Sequence, residues 1–168
     1  IYLLARVKED DQEAVYKDLI KRFPDSPWGY CGAASILFKR GDIDEAMRLC
    51  ERAVELNPKQ VLVYTLIAYL YQNKDDYLKA DEAIVRGLRH LPDNTTLSAY
   101  HGTYLRLAGK YKEALEVING VLKSDPENEL ALRQLGFVFT DLGRYEDAIK
   151  ARREYLSLWP SSASIWVE

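Results

Sequence analysis

Histidine and cysteine are the side chains in this sequence best suited to proton transfer, nucleophilic attack or metal binding, and there are two of each. Histidine titrates near neutral pH and is a common metal ligand. Neither His90 nor His101 shares a helical face with a second ligand, however. His101 falls on an expected packed face and reads as structural. His90 lies at an expected helix end, where a cation is mildly favoured. Cys31 and Cys50 stand 19 residues apart with no second pair to complete a zinc site. They read as reduced thiols acting as small hydrophobes, which favours a cytoplasmic location. The sequence has no nucleophile elbow, Walker loop or dinucleotide fingerprint, since Gly109-Lys110 is followed by Tyr111 and lacks the upstream glycine. Asn94-Thr95-Thr96 matches a glycosylation acceptor, which matters only in a secreted chain. No catalytic, metal or cofactor residue is therefore expected, and the chain does not read as an enzyme.

Binding chemistry is the alternative. Twelve tyrosines could stack on nucleic-acid bases. The formal net charge of −3 and the pI near 5.5 oppose that, because such domains are usually basic. No apolar run approaches the roughly 20 residues a membrane span needs, so membrane insertion is not expected. With 168 residues, 48% hydrophobic and 29% charged, the chain has the apolar material for a real core.

The elements that position these residues follow from a period. Pro24, Pro58, Pro92, Pro126 and Pro160 are spaced by 34, and so are Ala46, Ala80, Ala114 and Ala148. A fixed period of this size marks a repeat architecture. It divides the chain into full units at 27–60, 61–94, 95–128 and 129–162. Residues 1–26 form an incomplete unit, and 163–168 start a further helix. Within a unit, apolar residues recur at helical spacing, as in Leu62, Leu66, Ile67, Leu70 and Tyr71. Breaks follow at Arg40-Gly41-Asp42, Lys74-Asp75-Asp76, Ala108-Gly109-Lys110 and Leu142-Gly143-Arg144. Glycine there stops a helix. Asp44-Glu45, Glu113 and Glu146-Asp147 place acids in the first turn of the next helix, opposing its positive end. The prolines close each unit. No run alternates with period two, so no strand is expected. Each unit reads as two antiparallel helices, and the chain as all-α.

These residues resemble the tetratricopeptide repeat, a 34-residue helix pair with small residues where the helices cross and a proline at its end. The small columns are Ala34, Ala68, Gly102 and Gly136 in the first helices and the alanine series in the second. A third small column, met by Ala53 and Gly87, is broken by Val121 and Tyr155. Bulky columns run through Tyr30, Tyr64 and Leu132, and through Leu37, Tyr71, Leu105 and Phe139. The third unit departs at Ser98 and His101, and the fourth at Arg152. The resemblance implies a right-handed superhelical solenoid in which the first helices line a concave face. Neither end carries the polar cap that terminal repeats need, so the array is expected to continue past both ends and could self-associate there.

What the core columns leave over on the first helices is the expected groove. Its predicted binding residues are Trp28, Phe38, Lys39, Tyr69, Asn73, Tyr100, Arg106, Arg133, Gln134 and Phe137. Cys31, Thr65, Leu66 and Ala99 are read as facing the same side. Lys39, Arg106 and Arg133 outnumber the single acid, Asp141, so the face is mildly basic and aromatic. Aromatic and arginine side chains dominate binding hot spots. A protein or peptide ligand with apolar anchors and an acid facing Arg106 and Arg133 is expected. The lysine and asparagine clamp by which members of the resembled family hold chaperone tails is absent. The matching places read Cys31, Ser35, Leu66, Thr96 and Tyr100, or Thr65, Tyr69, Tyr100, Leu130 and Gln134. The alternative is a structural, self-associating segment of a longer repeat protein or assembly, such as an accessory domain of an enzyme.

Overall fold

The computed structural model describes residues 9–161, with side chains from Ala14 onward. Residues 1–8 of the expected incomplete unit and the expected helix start at 163–168 lie outside the described residues. Those described form nine α-helices and no strand: α1 Glu9–Arg22, α2 Pro27–Arg40, α3 Ile43–Leu56, α4 Val61–Gln72, α5 Tyr77–His90, α6 Thr95–Leu107, α7 Tyr111–Ser124, α8 Glu129–Asp141 and α9 Tyr145–Leu158. Helix α2 packs on α3, α4 on α5, α6 on α7 and α8 on α9. Two- to four-residue breaks between them force each pair antiparallel. The chain divides into two compact units between Leu91 and Pro92. The first contains α1 to α5, the second α6 to α9.

Every break inside a pair is built the same way. Gly41, Asp75, Gly109 and Gly143 hold positive φ, at 86°, 55°, 79° and 72°. The residue after each donates its backbone N–H five residues back: Asp42 to Leu37, Asp76 to Tyr71, Lys110 to Leu105 and Arg144 to Phe139, over 2.8–3.1 Å. This closes the open carbonyls of the first helix in the manner of a Schellman turn. Glycine adopts the left-handed region without a Cβ penalty. At Asp75 the same conformation is imposed on a carboxylate residue, whose Oδ1 accepts from the Tyr77 hydroxyl at 2.9 Å.

Small residues set how closely paired helices approach. Ala46, Ala80 and Ala114 are fully buried and Ala148 nearly so. A Cβ at Gly102 would stand 2.7 Å from Cγ1 of Ile118, so a larger residue there would force Ile118 to shift. In the second unit Leu105, Ala114, Ile118, Ala131 and Val138 form one apolar cluster. The two first helices of the second unit also begin alike. Asn94 caps the N–H of Leu97 at 2.9 Å, and Asn128 caps Ala131 at 3.0 Å. Gln60, 34 residues earlier, is buried instead, and its Oε1 faces Sγ of Cys31 at 3.8 Å.

Two glycines give opposite expectations. Gly143→Ala forces a Cβ into the left-handed region and should cost about 1 kcal/mol. Gly120 lies inside α7 with open space around its Cα, so Gly120→Ala should gain about 0.5–1 kcal/mol. Urea unfolding of both variants checks the pair; changes of the same sign would contradict this turn geometry.

Candidate interaction site

In the first unit two hollows lie on the side presented by α2 and α4. The larger, about 460 Å³, is lined by Tyr16, Leu19, Trp28, Cys31, Gly32, Ser35 and Leu62. It is apolar at its mouth, where Trp28 is 54% exposed and Leu62 45%. The smaller, about 340 Å³, is lined by Phe38, Tyr69, Gln72, Asn73 and Asp75, with Tyr69 39% exposed. Of the predicted binding residues, the fold thus gathers Phe38, Tyr69 and Asn73 into one hollow and sets Trp28 in the other. Lys39 is exposed at the end of α2.

The second unit organises its share differently. Arg106 donates from Nε to Oε1 of Gln134 at 3.0 Å and pairs through Nη1 with Asp141 at 3.0 Å. Its guanidinium also lies 5.2 Å from the centroid of Phe137. These contacts hold Arg106 at 19% side-chain exposure and brace α6 against α8. The Gln134 side chain, expected to line a groove, is 6% exposed and serves that brace. Arg106 is likewise already matched to an acid of its own chain, which leaves Lys39 and Arg133 as the cations of these faces outside the network. Tyr100 stacks on the buried Tyr104, ring centroids 6.4 Å apart, and Arg133 and Phe137 are half-buried.

Five residues read from the sequence as facing a groove are buried: Cys31, Thr65, Leu66, Ala99 and Gln134. Neighbouring first helices touch each other, α2 with α4 and α6 with α8, and the contact covers residues that a single-helix reading leaves open. Conversely, Tyr16 and Leu19 of α1 line the larger hollow although no first helix carries them. Gly32 is the sequence signal for this: a Cβ there would run into the Tyr16 ring.

Titration follows burial. Desolvation pushes the Cys31 thiol up to about 11. Cys50 is raised further, by burial first and then by the neighbouring Cys31 and Glu51. No group of three or more metal-ligating side chains occurs among the described residues, and none of their helices is long and apolar enough to cross a membrane.

Helix pairs in series, closed by turns of one kind and carrying aromatic hollows, define a helical-repeat protein. Models of the tetratricopeptide repeat match residues 27–60, 49–82 and 100–163, and the chain belongs to that family. Among curated relatives, cellulose synthase operon protein C of Pseudomonas fluorescens is 28% identical over a 151-residue alignment that covers 83% of this chain and 12% of that protein. The chain spans a quarter or less of the curated relatives it matches. Among solved structures, TTC0263 of Thermus thermophilus shares the fold with a TM-score of 0.78 at 18% identity, covering 99% of this chain and 91% of that one. YrrB, a TPR protein with an unusual peptide-binding site, superposes with a TM-score of 0.67 at 18% identity, covering 95% and 82%.

The thiols supply a check on the burial described for this face. Both have raised pKa values in the folded protein, so it holds their protons more tightly than the unfolded chain does. Their contribution to stability is complete below about pH 8.5 and is lost as pH rises from there. Iodoacetamide at pH 8 should leave both unmodified in the folded protein and label both in urea. Rapid labelling of Cys31 without denaturant would contradict its placement.

Proposed function

We propose that this chain is a protein-interaction scaffold. It binds an extended or helical segment of a partner protein on the α2 and α4 side of its first unit. The observation that carries this reading is the 460 Å³ hollow whose rim exposes Trp28 and Leu62. Large apolar side chains around a concave opening are costly to leave in water and are the usual anchors of recognition. The hollow beside Tyr69 offers a second anchor point on the same unit. Tyr100, Arg133 and Phe137 carry matching chemistry in the second unit. The peptide-binding site of the structurally similar YrrB supports the same kind of ligand.

A second reading, self-association, is supported by Tyr145, Ile149 and Leu158, which α9 leaves exposed. A dimer in light scattering that Ile149→Glu dissolves would favour it.

The test is a peptide-display selection against the whole chain, followed by affinities for the Trp28→Ala/Tyr69→Ala variant. Selected peptides should lose at least about tenfold in affinity, as expected for hot-spot aromatics, while circular dichroism melts stay unchanged. Equal binding to the variant would remove this site.

A further inference from the structure

A further pocket, about 430 Å³, lies between α6 and α7 in the other unit. Pro92, Ser98, His101, Gly120, Val121 and Ser124 are among its lining residues. Its origin is visible in the repeat columns. In the first repeat Tyr30 donates its phenol to the Pro24 carbonyl at 3.0 Å and also bonds to the side chain of Arg52. In the second, Tyr64 is fully buried and donates to the Pro58 carbonyl at 2.9 Å. Its ring stacks on His90 with centroids 6.4 Å apart. In the fourth, Leu132 fills the same column. The third repeat replaces this plug and its surroundings together. Ser98 stands in the Tyr30 and Tyr64 column, Gly120 in that of Arg52 and Arg86, and Ser124 in that of Leu56 and His90. Three large side chains are thus lost at one place. The remaining space has an apolar floor at Val121, which is buried, and a polar rim. Pro92 lacks the phenol six residues on that Pro24 and Pro58 have.

We propose that this pocket binds a tyrosyl side chain of a partner protein, seated as Tyr30 and Tyr64 are seated in their own repeats. The phenol donates to the Pro92 carbonyl, and the ring lies over Val121 in the space that Ser98 leaves open. The chain itself supplies the template for this recognition twice. Its volume falls within the roughly 300–1,000 Å³ of small-ligand sites. The occupant's hydroxyl sets specificity, because a phenylalanyl ring would fill the same space without reaching the carbonyl. The site is separate from the hollow at Trp28 and does not rest on binding there.

The experiment uses p-cresol, which is the tyrosine side chain, and toluene, which has the same shape without the hydroxyl. Each is titrated into the isotopically labelled whole chain while backbone amide shifts of Gly120, Val121 and Ser124 are followed. With p-cresol these shifts should saturate with a dissociation constant on the order of 1 mM, and toluene should bind about fivefold or more weakly. Ser98→Tyr, which supplies the missing ring in place, should abolish the shifts. Gly120→Arg, which restores the lost arginine column, should weaken them should Ser98→Tyr fail to fold. The proposal is overturned by an absence of shifts at these amides, by equal binding of toluene, or by unchanged binding in the folded variants. Shifts confined to residues around Trp28 would overturn it while leaving the first-unit site standing.

Discussion

Close approach of two helices at side chains too small to separate them is the constraint on which the rest of this structure depends. Ala46, Ala80, Ala114 and Ala148 are buried at that approach. At Gly102 even one added carbon would meet Ile118. Interiors tolerate neither voids nor overlaps of this size. Once the distance is fixed, chain length does the rest. A left-handed residue and a five-back hydrogen bond turn the chain within a few residues, and an asparagine or its counterpart starts the next first helix. The 34-residue period is the length this cycle takes.

Much of this was legible because it depends on residue type at fixed spacing. The proline and alanine columns, the glycine breaks and the acidic first turns all report local geometry, and local geometry repeats. The turn at Asp75 shows where that legibility thins. It is left-handed like its glycine counterparts, but only the register of the neighbouring repeats points to it. Contacts between one first helix and the next were not legible from single-helix faces. Cys31, Thr65, Leu66 and Ala99 looked open on their own helices and are covered in the fold. Arg106 looked like a cation awaiting a ligand, yet the fold supplies Asp141, Gln134 and the Phe137 ring. Those partners lie 28 to 35 residues away, and nothing in helical periodicity selects them.

The departures from the repeat pattern carry the most individual information. Ser98 and His101 read in the sequence as lapses in packing. In the fold they border a pocket that the corresponding columns fill elsewhere. Gly32 admits the Tyr16 ring and shapes the hollow below Trp28. A repeat array keeps its fold in the columns that agree, and its recognition chemistry is found where they disagree. This follows from packing: positions free of the crossing constraint are free to vary.

The central claim is that small side chains at the crossings fix the register of the helix pairs. Urea unfolding of Ala80→Leu against the wild type tests it most directly. Ala80 is fully buried between α4 and α5, so the larger side chain should overpack the crossing and cost roughly 1–3 kcal/mol. Unchanged stability would show that the crossing accepts bulk, and would contradict the account.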